Sequence, residues 1–190
     1  MTNYLKAFAA MIAGLLIGFA MTAVSLGLGR GFGALAAGPW TAWPRHGAAD
    51  IDPYARAMLA RTGEAPLGRD QGLAFIARAD SSGATLDGRC AYRITDPAPA
   101  ARYWTLAVAT TSGTLIDNPA RRYAFTSAEI LRREGGGFAI DAAEEAHPGN
   151  WLPTRRGPFL LILRLYDTSL DTEVAPDPST FPKIIKLGCA

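Results

Sequence analysis

The sequence predicts an antiparallel all-β sandwich or jelly roll with one short helix, carried behind a single N-terminal transmembrane helix. Three observations predict it. An uncharged apolar run of about 23 residues, Ala7 to Gly29, exceeds the roughly 20 that a helix needs to cross a bilayer. After it, short segments alternate apolar and polar side chains between Gly- and Pro-rich turns. No helical crossover pattern separates them, which argues against a parallel doubly wound sheet.

The elements follow in order. Lys6 precedes the apolar run and Arg30 follows it, so nearby charge sets orientation only weakly. A short tail before a single span leaves the large domain outside the cytoplasm, and lipid is the expected neighbour of residues 4–29. Ala10, Gly14, Gly18 and Thr22 recur every four residues, with Gly14 and Gly18 forming a GxxxG. Such a face lets two spans approach closely; the plainer reading is the general abundance of Gly and Ala in spans. Ala34-Leu35-Ala36 is a small-x-small triplet and raises a cleaved signal peptide. The run is longer than the ~7–15 residues of a signal core, which favours an uncleaved anchor. Gly27 to Gly33 is glycine-rich but leaves a membrane instead of a soluble strand, so it reads as an exit linker, not a nucleotide loop. Residues 1–37 are thus expected to be anchor and linker, and 38–190 the sandwich domain.

Trp40 and Trp43 lie between Pro39 and Pro44 and cannot be helix interior. Either they sit at the lipid headgroups or they form the first strand of the domain; the polar residues that follow favour the strand. Asp52-Pro53 is a helix start, Asp as N-cap and Pro at the first turn, and Gly63 is its stop. Tyr54, Met58 and Leu59 mark the buried side of that helix. Period-two strands are expected from Gln71 through Ala77, at Cys90–Ile94, at Tyr103–Ala109, and as short pieces at Tyr123–Phe125 and Phe138–Ile140. Ser127–Leu131 fits either one helical turn or a strand. Phe159–Tyr166 is apolar on both faces and should be central. Lys183–Leu187 closes the sheet system.

Charge excludes one class of partner. Lys plus Arg number 19 and Asp plus Glu 17; with Lys6 and Arg30 set aside as flanks of the span, the rest balances. A nucleic-acid binder carries a basic excess in its folded domain, so nucleic acid is not expected. Cys90 and Cys189, the two cysteines, are too far apart in sequence for the usual metal-site spacing. Outside the cytoplasm they can pair; the alternative is two buried thiols.

Candidate chemistry is sparse. His46 and His147 lack a neighbouring ligand at metal-site spacing and read as surface residues, and no metal or cofactor is expected. No G-x-S-x-G occurs. Asp141, Glu144 and Glu145 precede His147 and read as a solvated charge run in a polar loop. Arg164 interrupts the most apolar strand. It either points outward between Leu163 and Leu165, or points inward and pairs with Glu64, Asp117 or Asp167, because a lone charge in a core is costly. Arg56, Glu64, Asn118, Asn150, Trp151 and Arg164 are the candidate lining of a polar ligand pocket, with Asn150-Trp151 as its lip.

Several segments together resemble one family. Gly38-Pro39-Trp40 with Trp43-Pro44, Asp52-Pro53-Tyr54-Ala55-Arg56-Ala57, Gly63-Glu64 with Pro66-Leu67, Asn150-Trp151-Leu152-Pro153 and Leu163-Arg164-Leu165-Tyr166 are similar to signatures of the domain of unknown function 1214 family. The resemblance runs from about Gly38 to Cys189. It implies a jelly-roll-like β-sandwich and no settled activity, and it transfers no catalytic residue. It also implies that longer members carry a preceding domain of the related 1254 family, so that a separate anchored protein of that family is an expected partner, with the Gly14/Gly18 face as a means of association. Two functions follow as expectations. The first is an extracytoplasmic, membrane-anchored binding or assembly module. The second is an envelope hydrolase using the Arg/Glu/Asn pocket.

Overall fold

A 26-residue helix, α1 (Thr2–Gly27), opens the chain. In the computed structural model, residues 2–27, 33–48, 50–51, 53–62, 66–68 and 71–189 are described. Within α1, Asn3–Val24 has a mean hydropathy of 2.2 and buries none of its length against the rest of the protein. It is long and apolar enough to cross a membrane. Thr22 donates its hydroxyl back to the Gly18 carbonyl at 2.9 Å, which satisfies that group inside the helix.

The folded part begins earlier than Gly38. Leu35–Ala37 is β1 and Trp40–Ala42 is β2, an antiparallel hairpin turning at Gly38, whose φ of +60° favours glycine. Trp40 therefore belongs to the sheet, as the strand reading anticipated; it is fully buried and its indole N–H donates to the Pro182 carbonyl at 2.7 Å. A 3₁₀ turn at Pro44–Gly47 leads towards α2 (Pro53–Thr62), which starts at the expected proline. The expected cap Asp52 and stop Gly63 lie outside the described residues, as do the Tyr54 and Met58 side chains. On α2, Ala55 is buried, Leu59 half-buried and Arg56 exposed.

The strands that follow are β3 (Gly72–Ala77), β4 (Cys90–Thr95), β5 (Ala101–Thr110), β6 (Ala124–Thr126), β7 (Ala139–Ala143), β8 (Asn150–Pro153), β9 (Phe159–Thr168) and β10 (Lys183–Cys189). They form two sheets. One has six strands in the order β1-β2-β3-β9-β5-β6, the other four in the order β10-β4-β7-β8. Their facing sides share one core that includes Phe75, Leu106, Leu161, Leu163 and Leu165 from the first sheet and Tyr92, Ile94, Ile140, Leu152 and Ile184 from the second. Aromatic edges lock it: Phe75 against Phe181 at 4.6 Å between centroids, Tyr92 against Phe159 at 5.7 Å.

β9 is central, as its two-sided apolarity requires. It is flanked by β3 and β5 along most of its length, and Phe159 to Leu163 are all buried. Residues 127–131 take the first of their two anticipated forms, a single turn, Glu129 and Ile130 both donating to the Thr126 carbonyl. One feature departs from the sequence reading: the sandwich is not purely antiparallel, because β7 and β8 pair in parallel, Ile140 opposite Asn150. The connection 144–149 must therefore run back along β7 to bring β8 in beside it.

Candidate functional site

Parity along the strands decides what each sheet shows to the outside. In β4 and β7 the even residues, Tyr92 and Ile94, Ile140 and Ala142, face the core. Arg93 and Asp141 therefore project from the outer face, and the register puts them directly opposite each other. The same row continues to Ile185 on β10 and Trp151 on β8. An opposite-charge pair across neighbouring strands is a stabilising arrangement, and here it is bidentate. Arg93 Nε donates to Asp141 Oδ1 at 2.7 Å and Nη2 to Oδ2 at 2.8 Å.

The backward-running connection 144–149 lays His147 over this pair. Its Nδ1 lies 3.3 Å from Asp141 Oδ2. Asp141 is thus a strand residue, 5% exposed, and not part of a solvated acidic loop as the sequence suggested. His147 likewise is more than a surface residue. Burial opposes ionisation of Asp141, but the hydrogen bonds and charge of Arg93, with a smaller contribution from His147, outweigh it and hold the carboxyl below its ordinary value. Glu144 meets Arg156 at 2.9 Å, raising the arginine's already high pKa. Arg89 folds onto Asp87 at 2.7 Å and draws that carboxyl down to about 2.

A surface groove of about 350 Å³ runs beside this cluster. Ala91, Ala143, Gly188 and Leu187 give it an apolar lining, and His147, Glu144, Arg89 and Arg156 give it polar edges. The Cys90–Cys189 disulfide, joining opposed residues of β4 and β10, forms one wall. His147 has its Nδ1 committed to Asp141, so Nε2 is the ring nitrogen left to exchange a proton with a groove occupant. Among the described residues no Ser, Thr or Cys side chain is hydrogen-bonded to His147, and no group of three His, Cys, Asp or Glu is arranged to hold a metal ion.

Of the six residues anticipated as a pocket lining, the five that are described are spread across the molecule. Asn118 is buried and fully used: its Nδ2 donates to the Ile116 and Arg122 carbonyls, and its Oδ1 accepts from Arg122 N. Asn150 does the same work for β8, donating to the Leu131 and Ala139 carbonyls and accepting from Leu131 N. Trp151 lies on the outer face of the four-stranded sheet and donates its indole N–H to the Ala143 carbonyl at 3.0 Å. Arg56 is exposed on α2, and Glu64 lies outside the described residues.

Arg164 points outward from the other sheet. It stands between Ala74 on β3 and Thr105 on β5, with Thr126 next in the row. The two layers of the sandwich separate it from Trp151. None of its anticipated described partners meets it: Asp117 accepts from Tyr123 Oη, and Asp167 lies 3.8 Å from Arg102. Towards one end of the face, Tyr103 and Tyr166 stand opposite each other with ring centroids 5.9 Å apart. Towards the other, Ile76, Ile162 and Ala107 form the next row.

The pairing of Arg93 with Asp141 is the feature the sequence reading missed. Its signal was present, since CAYRIT and AIDAA each carry one charge, of opposite sign, at an outward position in mid-strand.

Comparison with known proteins agrees with this architecture. The crystal structure of the VPA0106 protein from Vibrio parahaemolyticus matches with a TM-score of 0.57 at 20% identity, over 75% of this chain and 37% of that one. An uncharacterised protein from Burkholderia cenocepacia matches with a TM-score of 0.45 at 19% identity, over 73% of this chain and 44% of that one. The chain therefore spans less than half the length of either structure. No curated protein matches it. The family described as "Protein of unknown function (DUF1214)" matches residues 71–170, more than half of the sequence and most of its strands, and the chain belongs to that family.

Proposed function

We infer that the protein is a membrane-anchored, extracytoplasmic β-sandwich that works as a binding or assembly module of the cell envelope. The observation that carries the reading is α1, whose apolar length is buried by nothing in the protein and so calls for lipid. Two further features support it. The Cys90–Cys189 bond suits an oxidising compartment. Cleavage after Ala36, at the small-x-small triplet, would cut through β1, whose Leu35 and Ala37 are buried; an uncleaved anchor keeps the sheet whole. The partner this reading expects is a separate protein carrying the related 1254-family domain.

The test is made on the full chain in native membranes. The intact mass should retain residues 1–36, and Cys90 and Cys189 should resist thiol labelling until reduced. A chain cut near Ala36 would overturn the anchor, and free thiols would overturn the compartment. Changing Gly14 and Gly18 both to Leu should release a co-purifying partner if the spans associate.

A hydrolase is the second reading, favoured by the Asp141-oriented His147 beside its groove. Turnover of an activated ester by wild type, lost in His147→Ala with folding intact, would support it.

A further inference from the structure

We propose that the Cys90–Cys189 bond is a site of thiol–disulfide exchange on the folded protein, opened at Cys189 by the thiolate of a dithiol. The inference goes beyond the binding-module reading and does not depend on it.

Three observations carry it. The first is that the two sulfurs differ in access. Cys90 is buried, 7% exposed, whereas Cys189 is exposed at the end of the edge strand β10. Exchange takes place at the sulfur a thiolate can reach, and exposed disulfides are the labile ones.

The second is how little else holds Cys189. Ile184 is the last buried residue of β10, and 185–189 are all exposed. The register slips between Lys186 and Gly188, so among the described residues only the pairs Gly188–Ala91 and Cys189–Cys90 lie beyond the bulge. Upstream the strand is fixed without the bond. Phe181 and Ile184 sit in the core, and Trp40 donates to the Pro182 carbonyl. Ser81 N donates to the Ile184 carbonyl, and its hydroxyl accepts from Ile184 N at 2.9 Å. Opening the bond therefore frees the tip 187–189 and leaves the sandwich packed.

The third is the groove, whose wall the bond forms. Ala91, Ala143 and Gly188 put little bulk beside the sulfurs, and a Cβ built on Gly188 would meet nothing within 4 Å. Arg89, Arg156 and His147 stand against Glu144 and Glu145 in the lining, so no acidic excess repels an incoming thiolate.

The bond itself selects the reactant, since a disulfide exchanges with a thiolate through a mixed disulfide. The thiolate bonds to Cys189 Sγ, the Cys90–Cys189 bond breaks, and its electron pair leaves with Cys90, which takes a proton from water in the groove. The second thiol of the reactant then displaces Cys189 from the mixed disulfide. The dithiol ends oxidised to its own disulfide, and the chain ends with two thiols and the tip of β10 released. The oxidised chain is the resting form, in keeping with its proposed compartment.

The experiment uses the full-length protein purified in mild detergent, with dithiothreitol and glutathione as probes. Dithiothreitol should reduce the bond in native buffer at a rate within about tenfold of that in concentrated guanidinium chloride. Glutathione followed by an N-ethylmaleimide quench should leave glutathione on Cys189 and maleimide on Cys90. In the reduced chain, hydrogen exchange should quicken at 187–189 and stay unchanged in β7 and β9. A native rate more than about tenfold below the unfolded one, glutathione on Cys90, or quickened exchange in β7 or β9 each overturns the proposal. The binding-module reading, tested through the span and its partner, stands or falls separately.

Discussion

The two outer faces of the sandwich handle charge in opposite ways. On the four-stranded sheet Arg93, Asp141 and His147 satisfy one another, and a disulfide stitches the edge strand β10 to β4. On the six-stranded sheet Arg164 meets no acid among the described residues, and no covalent tie is present among its described strands. The difference follows from how each sheet is supported. The six-stranded sheet has β9 at its centre, flanked by two long neighbours and buried on both faces over half its length. The narrower sheet has an edge strand whose last residues are mostly exposed, so its order depends on the bond and the ion pair. The wide sheet is thus held by strand pairing and burial, whereas polar groups on the narrow one are engaged in holding it together.

Four measurements would break or sharpen that contrast. Removing the disulfide by Cys90→Ala with Cys189→Ala should have the largest effect, a loss of about 4 kcal/mol in denaturant unfolding, because the bond closes a loop of sequence separation 99. Hydrogen exchange should quicken most in β10. Equal quickening in β9 would show that the sheets are not separately supported. Leu163→Ala, fully buried in β9, should cost about 3 kcal/mol through lost burial and the cavity left behind. That loss should be accompanied by global, not local, exchange.

Asp141→Asn comes next, at about 2 kcal/mol. It breaks a bidentate pair whose acid is buried, while the arginine, with its side chain 41% exposed, keeps access to water. The pH dependence has a definite sign. Asp141 is depressed in the folded state, so its contribution is complete above the unfolded value of about 3.9 and disappears as pH falls through the lower folded one. The stability gap between wild type and Asp141→Asn should therefore be present at pH 5 and shrink below about pH 4. The smallest effect belongs to Arg164→Met, which breaks no described pair and should shift stability by no more than about 0.5 kcal/mol. A large loss would mean that the arginine supports the sheet after all.

Much of this architecture was legible because burial writes itself into alternation. Leu73, Phe75 and Ala77 face the core at every second position, and Phe159–Leu163 could only be a strand buried on both sides. What escaped was set by pairing, which a single sequence does not display. β8 is four residues ending in Pro153 and carries no pattern of its own; it is held by its parallel partner β7 and by the side-chain amide of Asn150. Asp141 looked solvated because Glu144, Glu145 and His147 follow it closely, and only the β4 register explains why an acid is stable there. The anticipated ligand pocket drew together residues whose shared trait was polarity, but Asn118 and Asn150 spend that polarity on backbone groups. Arg164 showed the reverse: the sequence marked it as unusual, and the fold places it outward, the simpler of its two anticipated positions.

The position of β9 has a temporal consequence. β3 and β5 do not pair with each other; the place between them is taken by a strand encoded roughly 80 residues after β3. At about 5–20 residues per second, a growing chain would hold that gap open for several seconds. During that interval two apolar strand edges face whatever is nearby, the conditions under which nascent chains mispair with one another. The step that completes the larger sheet is therefore an insertion, and what shields β3 and β5 before it occurs governs the yield of folded protein as much as the contacts that stabilise the finished sandwich.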